Sequence, residues 1–365
     1  MFLDYETLRI IWWLILGVTL VGFAVVQGFG LGVAMLLPFV ARDNGERNAV
    51  LGTVDLAWDG NQAWFLLAGV AVFAAWPPLH VIAFSGFFFA MFAVLLALIA
   101  RPVASALRQN ARSVPARSLW DGVLFLSGVV PAVVFGIAVG NVLQGIPFHV
   151  EPVVGPVYDG GFRDLFNPFA LLSGLVAVAM LCMHGGTYLA LRTDAMVAKR
   201  AKVAASAAAM ALIFLFAVSG LWAGLGINGY ALTDPAAQTV GLVADGWFQN
   251  YVSRLDAVFA SACGLIAPLS VILLLDIRMP LQAFMASCVG VAGVVAASGL
   301  TIFPFLLPSS TDPNSSLTVW GASAAPSTLF NMLIASIVLI PMVICYTVWA
   351  FGRLRRDTLE RRKAP

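Results

Sequence analysis

Charge is what this 365-residue chain has least of: Asp, Glu, Lys and Arg make up 10% of it, against ~25% in a typical soluble domain. So few charges cannot cover a water-facing surface, because 61% of the residues are hydrophobic and the mean hydropathy is +0.94. The shortage excludes a cytosolic enzyme, an ordinary secreted domain, a nucleic-acid-binding module and a disordered chain. Histidine is also scarce, with His80, His149 and His184 the full complement. There is no HExxH, no P-loop and no dinucleotide fingerprint, so neither a metal site nor a self-contained catalytic site is expected. Cys182, Cys263, Cys288 and Cys345 lie far apart in apolar runs, without metal-binding spacing, and read as buried free thiols. A basic n-region is missing too. Asp4, Glu6 and Arg9 precede an apolar run too long for a signal peptide, which is therefore read as a retained first span.

Long apolar runs fill the rest. A helix needs ~20 apolar residues to cross a bilayer core, and nine candidates occur, at about 10–37, 53–76, 79–100, 121–144, 165–191, 203–226, 257–275, 280–307 and 328–352. The expected fold is an all-α integral membrane protein, a single membrane domain over residues 1–365 with nine transmembrane helices. Pro77, Pro78, Pro147, Pro308 and Pro326 punctuate it between spans, where a missing N–H costs least.

The basic residues orient these spans. Nine crossings put the loops after the odd spans one to seven on the side of the C-terminus. That side then carries 17 of the 20 Lys and Arg residues, leaving only Arg9, Arg163 and Arg254 opposite. By the positive-inside rule the C-terminus is cytoplasmic and the N-terminus outside. Two long outer loops, at about 145–164 and 227–256, are rich in Gly, Pro, Asp and Asn and are expected to cap the external helix ends.

Polar residues at membrane depth are the candidate functional groups. The clean apolar run from Ala63 to Trp76 is too short to span, so its helix must begin nearer Thr53. This brings Asp59, Asn61 and Gln62 to the cytoplasmic edge of the hydrocarbon, where a carboxylate marks a proton or ion path unless it is a late helix cap. Asp121, in the matching Trp120-Asp121-Gly122, reads as a cap near a helix N-terminus. In the first span, Gly28 and Gly32 share one helix face and admit a close neighbour, while Gln27 can contribute to a polar pocket. His184, beside Met183, invites a haem-ligand reading, but haem needs facing axial ligands. A hydrogen bond within the bundle is the expectation.

Taken in order, several blocks carry a resemblance. They are Asp4-Tyr5-Glu6 with Trp12-Trp13, Gly28-Phe29 with Leu31-Gly32, and Trp58-Asp59-Gly60-Asn61-Gln62 with Trp64. After them come Arg101-Pro102, Gly140-Asn141, Asn167-Pro168-Phe169, Phe303-Pro304-Phe305 and Pro308-Ser309-Ser310-Thr311. In this order and spacing the chain resembles subunit II of the cytochrome bd-type quinol oxidases. The resemblance implies a nine-helix subunit that binds no haem itself and pairs with a subunit I carrying haems b558, b595 and d. Such a complex oxidises quinol and reduces oxygen to water, in a bacterial inner membrane. The implied partners also include small single-span subunits, membrane lipids and quinone, and no nucleic acid.

The resemblance also sets Asp59, with Trp58, Asn61, Gln62 and Arg101, on a cytoplasmic proton path; from the residues themselves, Gln27, Gly28, Gly30 and Gly32 are assigned to helix packing or a lipid or quinone pocket. Three carboxylates that the family tends to keep are replaced here by Gln27, Gly30 and Gly321. Gln27 can order water but cannot hold a proton as a carboxylate does. Two other classes compete with the oxidase reading. One is a secondary transporter, disfavoured by the lack of an internal repeat; the other is an assembly scaffold with no proton role.

Overall fold

The computed structural model describes residues 3–54, 61–193, 195–234 and 239–361. Helices dominate it, since in hydrocarbon a backbone meets its own N–H and C=O groups only within the segment. The first span is α1 (Tyr5–Val26) and α2 (Gly28–Val40), separated by the single residue Gln27. A short helix α3 (Asn44–Leu51) follows, capped by Asp43, which accepts from the Glu46 N–H. Beyond it come α4 (Ala63–Ala75), α5 (Pro77–Gly86), α6 (Phe88–Asn110), α7 (Val114–Gln144), α8 (Pro168–Arg192) and α9 (Ala195–Gly226). The short helix α10 (Gly246–Ser253) then leads to α11 (Leu255–Asp276), α12 (Pro280–Ile302) and α13 (Pro326–Arg361).

Among the described residues, eight of these helical stretches are long and apolar enough to cross a membrane. The crossing expected at 53–76 is not one straight helix, because α4 bends through 120° into α5. The cause is local. Pro77 and Pro78 supply no N–H, and the residue before a proline is pushed out of helical backbone, as Trp76 is at φ −137° and ψ 74°. Counted as one broken span, the pair makes nine. The crossing expected at 79–100 begins instead at Phe88 and runs to Asn110.

The all-α expectation also needs correction, because the structure includes three two-stranded antiparallel ribbons. They are β1 (Phe148–Glu151) with β2 (Gly155–Tyr158), β3 (Gly229–Asp234) with β4 (Thr239–Val243), and β5 (Phe305–Leu307) with β6 (Leu317–Thr318). Loops this long carry backbone groups that need partners, and pairing across a ribbon supplies them. The segment after α12 ties the loops together. Ile146 donates to the Pro308 carbonyl at 2.9 Å, Ser309 to Phe148, and Val150 to Ser315 Oγ at 3.0 Å. Val240 donates to Asn314 Oδ1 at 3.0 Å and the Trp247 indole to the Leu143 carbonyl at 2.8 Å.

Small residues set the packing of the spans. A Cβ on Gly32 would overlap the Leu181 carbonyl and the Gly185 backbone, so α2 and α8 touch main chain to main chain. Gly136 and Gly140 of α7 bring that helix equally close to Ser173, Gly174 and Ala170 of α8. In consequence α8 is the most enclosed of the spans and α13 the most exposed. Cys345 lies on α13 and is exposed, while Cys182, Cys263 and Cys288 are half-buried. Only part of the buried-thiol expectation therefore holds.

Two outcomes follow from this geometry. Gly32→Val forces backbone apart and should destabilise by about 1–3 kcal/mol or more, read as a lower thermal midpoint in detergent. In the β1–β2 ribbon, His149 Nδ1 lies 2.9 Å from Asp159 and Nε2 3.2 Å from Glu151, and these carboxylates raise its pKa above the usual imidazole value. Its contribution to ribbon stability is thus complete below pH ~6.5 and is lost as pH rises through the raised folded value. Proteolysis of the ribbon should accelerate over that window, and His149→Gln should remove the pH dependence.

Candidate functional site

The interruption at Gln27 is where polar chemistry meets the apolar interior. The carbonyls of Val25 and Val26, the last two residues of α1, accept hydrogen bonds from side chains on other elements. His184 of α8 donates from Nε2 to Val25 at 2.9 Å, and Asn61 donates from Nδ2 to Val26 at 2.7 Å. A carbonyl only accepts, so Nε2 carries the imidazole proton and Nδ1 accepts from Ser287 Oγ at 2.7 Å. Thr187 completes the group 3.0 Å from Ser287 Oγ. The His184 ring lies flat on Phe284, with centroids 5.1 Å apart and planes 5° apart. Both ring nitrogens are engaged, so His184 has no lone pair to offer an iron. The bundle hydrogen bond expected from the sequence is what it makes.

Gln27 itself is fully buried, and neither its Nε2 nor its Oε1 has a partner; Asn61 Oδ1 is in the same position. Each unmet polar group inside a protein costs ~1–3 kcal/mol. Gly28, Gly30 and Gly32 are buried along the same stretch of α2, Gly28 beneath Leu181 of α8, and none faces lipid. Gln62 precedes α4 and its carbonyl accepts from Phe65 and Leu66. Trp58 and Asp59 lie outside the described residues.

Arg101 is not past the end of its span. It sits inside α6 and is 1% exposed, with Nη2 donating to the Ser127 carbonyl at 2.9 Å and Nε 3.4 Å from Ser127 Oγ. The next residue of α7, Gly128, packs on the Leu31 carbonyl of α2. A line of contacts therefore joins Arg101 to the first span, though no described contact joins Arg101 to Asn61 or Gln62.

The second polar centre was missed from the sequence. Asp121 is not a cap: α7 begins at Val114, capped by Ser113, and Asp121 stands two turns inside. There it binds Arg108 through one oxygen and Arg47 through the other at 2.5 Å. Arg108 also donates to Asn48 Oδ1 at 2.5 Å, and a further pair joins Glu46 to Arg200. Arg200 holds the Glu46 carboxyl below the ordinary range. The available signal was the crowd of arginines on this side, which leaves the sole acid of a neighbouring helix facing cations from several elements. Asp121→Asn leaves Arg108, whose side chain is 2% exposed, without its carboxylate and should cost ~3–5 kcal/mol. Thermal unfolding of the variant, beside the double variant Arg108→Met/Asp121→Leu that regains part of the loss, checks this.

Comparison with known proteins covers nearly the whole chain. The pattern of the family described as cytochrome bd terminal oxidase subunit II matches residues 8–353. The chain is 39% identical over 372 residues to cytochrome bd-I ubiquinol oxidase subunit 2 of Escherichia coli (strain K12), covering 98% of each. It is 28% identical to cytochrome bd ubiquinol oxidase subunit 2 of Bacillus subtilis, covering 96% of each. A chain in the structure of bd oxidase from Geobacillus thermodenitrificans superposes with a TM-score of 0.72 at 15% identity, over 95% of this chain and 98% of that one. At that identity the likeness is one of fold.

Proposed function

The chain belongs to the cytochrome bd terminal oxidase subunit II family, and from that premise we propose that it is the non-haem subunit of a quinol oxidase in a bacterial inner membrane. It pairs with a haem-bearing subunit I, and the complex carries electrons from quinol to oxygen. The observation that carries this reading is the match over nearly the full length of chain and relative alike. Nine crossings, with the α4–α5 pair as one broken span, put the 17 basic residues on the cytoplasmic side and the ribbons outside. Haems b558, b595 and d belong to the partner. They supply the redox chemistry, and the engaged nitrogens of His184 agree with a subunit that ligates none of them. An apolar cleft between α1, α4 and α13, lined by Trp12, Thr19, Leu67, Met332 and Ser336, suits an acyl or isoprenoid tail.

This chain's own part is to complete the fold of its partner and to line a proton path starting from Asp59. Support for the path comes from the depth of the Trp58-Asp59-Gly60-Asn61 motif in the sequence and from the buried amides of Asn61 and Gln27 beyond it. A carboxylate exchanges protons at such depth, whereas arginine stays charged and positions or repels them. Arg101, held on Ser127, is assigned that electrostatic part. In the purified complex, the reduced-minus-oxidised spectrum should show haems b and d with this chain. A colourless single-subunit protein would point to a carrier instead. Asp59→Asn should leave that spectrum in place and slow oxygen consumption by an order of magnitude or more; unchanged turnover and charge separation would make the subunit a scaffold.

A further inference from the structure

Two of the groups that support that path have hydrogen-bonding atoms with no partner in the protein. Gln27 is fully buried with both amide atoms unpartnered, and Asn61, 1% exposed, has an unpartnered Oδ1. Both belong to one junction of the backbone: Asn61 is fixed to the carbonyl of Val26, the residue next to Gln27. The other polar groups described at this junction are spoken for. His184 is bonded at both nitrogens, Ser287 and Thr187 bond to it and to each other, and the Val25 and Val26 carbonyls each hold one donor.

The needs of the three free atoms define what binds there. Gln27 Oε1 and Asn61 Oδ1 require donors, while the Gln27 NH₂ requires an acceptor. A cation would serve the oxygens and repel the amide N–H; an anion would do the reverse. Each carbonyl beside them also has a second lone pair, which adds to the demand for donors. The ligand must therefore both donate and accept, be neutral, and be small enough for a packed interior. Internal water meets all four conditions, and buried waters occupy such sites with two to four polar partners. We propose that Gln27 and Asn61 bind ordered water at the α1–α2 junction, a hydrated point in the protein interior held by two neutral amides. The hydration stands on these atoms alone. Its use in passing protons onward rests on the Asp59 reading.

The test separates the two. In the intact complex, high-resolution cryo-electron microscopy should show water density within hydrogen-bonding distance of the Gln27 amide; a well-ordered Gln27 with no density beside it overturns the proposal. Gln27→Met, similar in length and without polar atoms, gives an independent reading of sign. With water bound, the substitution expels it and strands Asn61 Oδ1, so the thermal midpoint falls. With a dry site, it removes two unmet polar atoms and the midpoint rises, which overturns the proposal. Asn61→Leu should likewise lose the density while Gln27 remains. Should Asp59→Asn leave turnover untouched while the water is present, the proton path fails and the hydration site survives. A dry Gln27 sinks the hydration site whatever Asp59 does.

Discussion

Main-chain contact between α2 and α8 is the constraint on which the rest depends. With Gly32 on one side and Gly185 on the other, these helices approach closer than any side chain permits, and in lipid such close packing replaces the hydrophobic force that drives helices together in water. The approach fixes the height of α8 against the first span. At that height Leu181 covers Gly28, and His184, one residue before Gly185, reaches the Val25 carbonyl. Gly128 then brings α7 onto a neighbouring face of α2, and Ser127 beside it receives Arg101. A polar centre and a buried cation are thus placed by glycines that carry no chemistry of their own.

The two ends of the molecule solve the problem of polarity differently. At the basic end, charges are gathered and neutralised pairwise: Asp121 between Arg47 and Arg108, Glu46 with Arg200, Lys202 with Asp276 at 3.2 Å. At the opposite end, backbone ribbons and side-chain-to-carbonyl bonds carry much of that work, beside the His149 cluster with Asp159 and Glu151 and the Arg254–Asp256 pair. Between them, Arg101 apart, the interior relies on neutral donors: imidazole, amide, hydroxyl and indole. Neutral groups suit this depth, because an unpaired ion there costs far more than an unpaired dipole.

Much of this was legible in the amino-acid order, and the reasons for the remainder are physical. Apolar runs reveal spans because hydrocarbon demands them, and the glycine spacing of 28 and 32 reveals a contact face. The bend at Trp76 was written in Pro77 and Pro78, yet a run of apolar residues looks the same in a straight helix and in a bent pair. Arg101 and Asp121 were misplaced for a shared reason: helices α6 and α7 extend past their apolar stretches, so a residue counted as loop and one read as a cap both lie buried inside helices. The partners of His184 come from positions 25 and 287, and no local pattern announces a contact across 159 or 103 residues. Ribbons were hidden because pairing between short strands depends on loop closure in three dimensions rather than on periodicity.

The least-packed helix, α13, is tied to the body chiefly through indole and phenol groups of the opening segments. Trp12 donates to the Leu329 carbonyl at 2.9 Å, Tyr5 to Ala324 at 2.9 Å, and Trp64 to Thr347 at 3.1 Å. These bonds join parts of the chain about as far apart in order of synthesis as its length permits. The Trp12 indole therefore has its acceptor only once α13 is in place, 317 residues further along the chain. Docking of α13 and satisfaction of that buried indole are one event, so a change that loosens either end loosens both.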